Sequence, residues 1–264
     1  MSGKIFFRAL AFIVLFFIIK SADAQNISLE PVNKDRCKVN FPSDKLINWF
    51  CYRIKAKETV EHLFGSYLED ILRFNRIDRV HVWPGKYLKV PVNFDDVSNF
   101  TPLPQRLEQA RNFHYYIFLN ISEQFAGAYE FGELKFSFPI ASGERNSTPK
   151  GLFKILGRDK EHRSSLYTIK PGTPYPMFWG IKFHVSKKGV AFWIHSRDLP
   201  GYPVSHGCVG IYDEEMQKKF YGFPQDPKLL DAKKLFLWLF PDGESDSGAR
   251  EYHKGLPGAL IEIR

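Results

Sequence analysis

The chain has few cysteines: three in 264 residues, at positions 37, 51 and 208. An odd number cannot pair completely within one chain. No second long apolar run follows the N-terminus, so no later segment supplies the roughly 20 apolar residues that a membrane span needs. There is no block of Lys or Arg and no nucleic-acid-binding motif, so no nucleic-acid partner is expected. H-E-x-x-H is absent, and His184, His195, His206 and Cys208 match no compact zinc spacing. No metal or other cofactor is therefore expected. Internal repeats are also absent, which removes the solenoid architectures.

What is present begins with an export signal. Lys4 and Arg8 give a positive start, residues 9–19 form an unbroken apolar run, and Ala22-Asp23-Ala24 is a small-residue cleavage pattern. Residues 1–24 are expected to be a signal peptide, so contact with the membrane is transient and the protein resides in the periplasm or cell envelope. Cleavage after Ala24 lowers the formal charge from +8 to +6, because Lys4, Arg8, Lys20 and Asp23 leave. A mildly basic exported protein suits an anionic envelope polymer or a membrane surface. Exported compartments oxidise thiols. Cys37 and Cys51, in or bordering the N-terminal segment 25–51, suit a disulfide. That leaves Cys208 as a free reactive thiol or an intermolecular bridge. The sequons at Asn26, Asn120 and Asn146 are short enough to occur by chance.

Residues 52–91 read as one unit. Val60, Leu63 and Phe64 follow helical spacing, as do Leu68, Ile71 and Leu72. Ser66 and Glu69 form an S-x-x-E pattern that predicts a capping box on the second helix. Strand-like Tyr52–Ile54 precedes the helices; Pro84-Gly85 and Tyr87–Val90 follow. Residues 92–111, with Pro102 and Pro104, read as a linker. From His114 onward the period changes to two. The segments 115–120, 124–130, 133–141, 151–156 and 189–195 are strand-like. Residues 213–222 predict a helix capped by Asp213, with Met216 and Phe220 on one face. Residues 241–264 read as a polar C-terminal extension ending in a possible strand. The aromatic content of 16% fits a β-rich core and also a carbohydrate-facing surface.

The chemistry concentrates in "YPVSHGC", residues 202–208. A thiol nucleophile needs a base, or an imidazolium to hold it as thiolate. The base needs a partner that fixes its tautomer. Cys208 with one of the three histidines supplies the pair, and Gly207 permits a tight turn whose amides face an oxyanion. A lone Cys beside a His is also commonly a small buried residue.

Two resemblances narrow these readings. The 52–91 unit resembles a LysM domain, a βααβ module that binds N-acetylglucosamine polymers, in Glu58-Thr59, in Asn75 and in "PGKYLKVP". It departs at Lys57, where the family usually has Gly. Residues 112–240 resemble the YkuD family of L,D-transpeptidase catalytic domains. The family pattern of a His, a variable loop and [S/T]-H-G-C stands here as "IHSRDLPGYPVSHGC". An upstream Gly and Thr-Pro-x-Gly stand as Gly143, Thr148, Pro149 and Gly151. Two departures are a short loop between His195 and Ser205, and Gly210 where the family usually has Arg or Asn. The implied architecture is a mainly β catalytic domain, a YkuD-like β-sandwich with short helices, preceded by a small βααβ LysM-like domain.

The YkuD resemblance implies roles residue by residue. Cys208 is the nucleophile and His195 the general base and acid, with the Ser196 carbonyl orienting its ring. The His206, Gly207 and Cys208 amides form the oxyanion hole, and Ser205 with the His206 side chain shapes the loop. Arg145 and Arg197 are candidate contacts for stem-peptide carboxylates, although solvated surface charge is the commoner role. His184 is structural or lines the cleft. The implied activity attacks a peptidoglycan tetrapeptide stem and passes the acyl group to an amine, giving a 3→3 crosslink or attaching an envelope lipoprotein. Glycan strands are the expected partner of the LysM-like unit, which raises the local substrate concentration. Gly210, the donor-site departure, keeps a carboxypeptidase or other hydrolase open, and loss of turnover would leave a peptidoglycan-binding protein.

Overall fold

The computed structural model describes residues 29–245 and 248–264. The signal-peptide segment and Asn26 lie outside the described residues. The N-terminal unit runs β1 (Trp49–Arg53), α1 (Val60–Phe64), α2 (Leu68–Asn75) and β2 (Tyr87–Pro91), and β1 pairs antiparallel with β2. Thr59 caps α1 by accepting from the His62 amide at 3.3 Å. The predicted Ser66 capping box is not formed. Residues Gly65–Tyr67 are a 3-10 turn leading straight into α2, which has no side-chain cap. Lys57 has φ +70°, a left-handed conformation that favours glycine. Cys37 and Cys51 are joined, S–S 2.09 Å, which ties the preceding segment to β1.

The remainder is built on β3 (Tyr115–Asn120), β4 (Phe125–Glu130), β5 (Glu133–Ala141), β6 (Gly151–Phe153), β7 (Gly157–Asp159), β8 (Arg163–Lys170), β9 (Thr173–Pro176), β10 (Gly180–Val185), β11 (Ala191–Ser196) and β12 (Val209–Ile211). These are followed by α3 (Glu214–Tyr221), α4 (Asp231–Leu239), β13 (Arg250–Glu251) and β14 (Ala259–Ile263). Ten strands form one sheet in the order β13-β7-β10-β11-β12-β5-β4-β3-β14-β6, while β8 and β9 make a separate hairpin. The sheet curls. Residues from both halves, such as Leu119 and Ile261 on one side and Ile181 and Ile194 on the other, share a single core with Leu235 and Phe236 of α4. The sandwich is thus one sheet folded on itself. Asp213 caps α3 by accepting from the Met216 amide at 2.9 Å.

Two segments are more integral than sequence reading allows. Strand β14 pairs parallel with β3 and antiparallel with β6, so the C-terminal residues lie inside the sheet instead of extending from it. Residues 92–111 connect β2 to β3 but do not hang free. Leu103, Leu107 and Ala110 are buried against Tyr116, Phe118 and Tyr129. Burial of such side chains stabilises by about 1.5–3 kcal/mol for each large one, which outweighs the polar, Pro-marked character of the segment.

The N-terminal unit also shares a core with the β domain. Ile71, Leu72 and Phe74 pack with Leu199, Tyr212 and Leu229. Arg73 makes a two-pronged pair with Asp231 at 2.7 and 2.9 Å, and Arg79 one with Glu214 at 2.7 and 2.6 Å. Asp78 and Leu199 exchange backbone and side-chain bonds, 2.9 Å from the Asp78 amide to the Leu199 carbonyl and 2.6 Å from the Leu199 amide to the Asp78 carboxylate.

Candidate active site

Strands β11 and β12 are parallel neighbours, with Ile194 level with Val209 and His195 level with Gly210. Side chains alternate faces along a strand, and neighbouring strands lie about 4.8 Å apart. Cys208, one step before Val209, therefore shares a face with His195 on the adjacent strand. The sheet register brings together two residues that are separated by the whole 196–207 loop.

His195 is 2% exposed. Its Nδ1 lies 2.7 Å from the Ser196 carbonyl. A carbonyl only accepts, so Nδ1 carries the proton and Nε2 keeps a lone pair. Burial pushes the His195 pKa down to about 3, opposed by the Ser196 bond and reinforced by the Arg197 and His162 charges. Cys208 is partly exposed. Burial pushes its thiol up, while the Trp193 backbone and the Arg197 charge work against that shift. Both shifts favour neutral thiol and neutral imidazole, a state in which His195 Nε2 can accept a proton.

The loop that carries Cys208 is clamped by the upstream motif. Gly143 bridges to Ser205, the Glu144 amide donates to the Ser205 carbonyl at 2.8 Å, and the Val204 and Ser205 amides donate to the Ser142 carbonyl at 3.0 and 3.1 Å. Thr148 Oγ1 accepts from the Gly143 amide at 2.7 Å. A β-carbon on Gly143 would lie 2.9 Å from Gly207 Cα, and one on Gly207, at φ +137°, would strike the Phe192 ring. Backbone meets backbone at this contact, so both positions require glycine. The Thr-Pro turn and the SHGC loop are two halves of one device.

One expected role changes. The Gly207 amide donates to Ser205 Oγ at 3.0 Å, and Ser205 Oγ in turn donates to the Cys208 carbonyl. An amide committed to Ser205 is not aimed at an oxyanion, which leaves the His206 and Cys208 amides as candidates. Through these two bonds Ser205 braces the loop from within. The His206 ring is exposed and stacks on Tyr167 of the β8–β9 hairpin, centroids 4.9 Å apart. His184 packs against Phe153 and Phe192 at 5.4 and 5.5 Å, so it supports the ring that lies on Gly207. Arg145 stands exposed at φ +52° in the turn after Gly143.

Arg197 is the informative residue. A β-carbon at Gly210 would lie 2.5 Å from its Cβ and Cδ. Its side chain thus fills the space that a residue at 210 would occupy. Its Nε is buried with no hydrogen-bond partner among the described residues, and its guanidinium lies 5.7 Å from the Tyr175 ring. The next residue, Asp198, accepts from Tyr175, Tyr221 and Gln217 at 3.2, 2.8 and 3.1 Å, fixing the loop that carries Arg197. Neither the Gly210–Arg197 contact nor the Asp198 anchor has a signal in local sequence, because each joins residues far apart in the chain. His162, stacked on Trp193 at 4.0 Å, is equally silent in the sequence. Among the described residues no group of His, Cys, Asp and Glu is arranged to hold a metal ion.

Residues 114–226 match the model of the YkuD L,D-transpeptidase catalytic domain. No curated protein matches. Among solved structures, an L,D-transpeptidase from Xylanimonas cellulosilytica is 17% identical, with 80% of this chain and 96% of that one covered and a TM-score of 0.41. One from Stackebrandtia nassauensis is 16% identical, covering 57% and 55%, TM-score 0.36. One from Mycobacterium smegmatis is 15% identical, covering 58% and 59%, TM-score 0.36. The chain thus spans less than three fifths of the length of the last two. The family match thus falls on residues 114–226, the segment that carries β3 to α3, and its likeness is to the L,D-transpeptidase catalytic domain of the YkuD family.

Proposed function

We propose that the protein is an exported, cysteine-dependent L,D-transpeptidase acting on peptidoglycan tetrapeptide stems through a thioester. The observation that carries this reading is the shared face of Cys208 and His195 on adjacent parallel strands within that domain. The Cys208 thiol proton passes to His195 Nε2 as sulfur bonds to the carbonyl carbon of the stem diamino acid. The resulting oxyanion faces the His206 and Cys208 amides. Collapse breaks the bond to terminal D-alanine, whose amine takes the proton from His195. An acceptor amine then attacks the thioester, gives its proton to His195, and Cys208 leaves as the thiol. The acceptor is the side chain of a second stem or a lysine of an envelope lipoprotein. The βααβ unit, read as LysM-like, contacts glycan strands, and the site of action is the periplasm.

Incubation with isolated muropeptides followed by mass analysis tests this function. A crosslinked dimer is expected. A trimmed monomer alone would replace transpeptidation by hydrolysis, and unchanged material would remove the enzymatic reading.

Arg197 supplies the donor carboxylate contact in this scheme, since it is a cation beside the thiol and no ion pair holds it among the described residues. Charge-assisted bonds of this kind contribute about 1.5–3 kcal/mol. Gly210→Ala is therefore expected to displace Arg197 and lower kcat/KM for acylation by roughly 10-fold or more, a loss of about 1.4 kcal/mol per factor of ten. Arg197→Ala should lose as much, and the double variant no more than either single one. Additive losses would show that the two positions act separately.

A further inference from the structure

A second site lies where the N-terminal unit meets the active-site loop. A cavity of about 380 Å³ is bounded by residues 36–39, by Asn75, Ile77 and 86–89, and by Pro200–Tyr202. Every charged side chain around it is a cation: Arg36, Lys38, Lys86 and Lys89. Lys89 is neutralised by Asp44 at 2.6 Å. Arg36, Lys38 and Lys86 make no ion pair with a described residue. Lys86 is half-buried beside the Trp83 ring, 5.3 Å from its centroid. Burial pushes its ammonium pKa down, and Asp78 only partly opposes this. A desolvated cation without a counter-ion is unfavourable unless an anion arrives.

The walls are preformed. The Cys37–Cys51 bond holds Arg36 and Lys38 at the rim. Ile77 pairs with Pro200 in an isolated bridge, and the Asp78–Leu199 bonds lie beneath. Tyr87 and Tyr202 add aromatic surface, and Tyr202 is 44% exposed. Tyr202 precedes Cys208 by six residues. At about 3.5 Å per residue the nucleophile is within about 20 Å of the groove.

We infer that this groove binds a carboxylate-bearing stretch of the peptidoglycan strand, the stem peptides next to the one being processed. The inference rests on the proposed substrate class. It does not rest on the LysM-like reading, because the groove is shared between the N-terminal unit and the catalytic loop. Its role is to hold the polymer so that a stem on the same strand reaches Cys208, which turns one binding event into a local concentration effect.

The test uses the full mature chain carrying Cys208→Ala, so that binding is read without turnover. Soluble uncrosslinked peptidoglycan strands with free stem carboxylates are titrated against it, alongside the same strands after amidation. Free strands are expected to bind at least tenfold more tightly. Adding R36E and K38E, both on exposed positions away from the core, should weaken binding of free strands at least tenfold. Lys86→Gln should weaken it in the same direction. The charge reversals in a chain retaining Cys208 should leave its acylation by a small carbapenem unchanged. Equal affinity for free and amidated strands, or no effect of the reversals, would overturn the inference. Equal competition by inorganic polyphosphate would overturn the carboxylate assignment. Loss of acylation in Cys208→Ala with strand binding intact reports on the nucleophile alone, so the two readings fail separately.

Discussion

Cys208→Ala is expected to abolish covalent labelling by a carbapenem and to reduce turnover by at least about 10³-fold, since removing the nucleophile of a covalent mechanism removes the step itself. Mass spectrometry of the intact protein reads the first effect: wild type gains the mass of the drug and the variant does not. Adduct formation that survives the substitution would place the nucleophile elsewhere. The resting protonation state sharpens the expectation. Burial raises the thiol and drives His195 down to about 3. Above about pH 3 the imidazole is neutral, and at pH 7 the thiol is still protonated. Alkylation by iodoacetamide should therefore be slow at neutral pH and climb only above the ordinary thiol range, with no inflection near pH 6.5. A thiolate–imidazolium pair would instead label fast from about pH 5 upward. In the proposed mechanism substrate acylation escapes this limit, His195 taking the proton as the bond forms, so His195→Ala should cost about 10²–10⁴-fold in kcat while the thiol persists.

The second large effect is on stability. Arg79 and Glu214 are 1% and 0% exposed at their side chains and join the N-terminal unit to α3. Arg79→Met leaves the Glu214 carboxylate buried without its counter-charge, although the Lys228 and Leu229 amides still donate to it at 2.6 and 3.0 Å. Breaking one half of a buried pair costs about 3–5 kcal/mol. For a chain of this size that is a fall in Tm of about 10 °C. Replacing both partners with apolar residues should cost less than the single change, because no charge is then stranded. A thermal scan showing a fall under about 2 °C for Arg79→Met would mean that the pair is solvated and the two parts are only loosely joined. The expected result matters for function as well. Under the proposed glycan contact, a docked N-terminal unit holds the strand in one fixed relation to Cys208, whereas a unit on a flexible linker only raises local concentration.

Much of the layout is visible in the chain itself. The alternation in "YYIFLN" and "ELKFSFPIA" coincides with β3 and β5. Asp213 marks the start of α3, and the order strand, helix, helix, strand read over residues 52–91 holds, although β1 starts earlier, at Trp49. Such signals are local: an alternating face, a cap, a Pro-Gly turn. Helix α4 has no counterpart among the sequence expectations: its stripe of Ala232, Leu235, Phe236 and Leu239 lies within the run "LFLWLF" and its neighbours, which suits a strand equally. The Ser66 pattern misleads, because the Gly65–Tyr67 turn enters α2 directly and leaves no place for a cap.

By itself the sequence marked the residues proposed to carry the chemistry. Cys208 stands in Ser-His-Gly-Cys, His195 lies upstream, and Gly143 with Thr148-Pro149 marks the supporting turn. Only the tertiary structure decided how they work together. It put Cys208 and His195 on one face through the β11–β12 register, and set Gly143 against Gly207. It also committed the Gly207 amide to Ser205, and laid Arg197 across the space left by Gly210. It buried the N-terminal unit against the loop that leads to the nucleophile. The reason is that strand register, the Gly143–Gly207 contact and the buried ion pairs join residues from separate parts of the chain, and they fix the loop in which the local Gly207–Ser205 bond forms. Periodicity reports only on a residue's immediate neighbours.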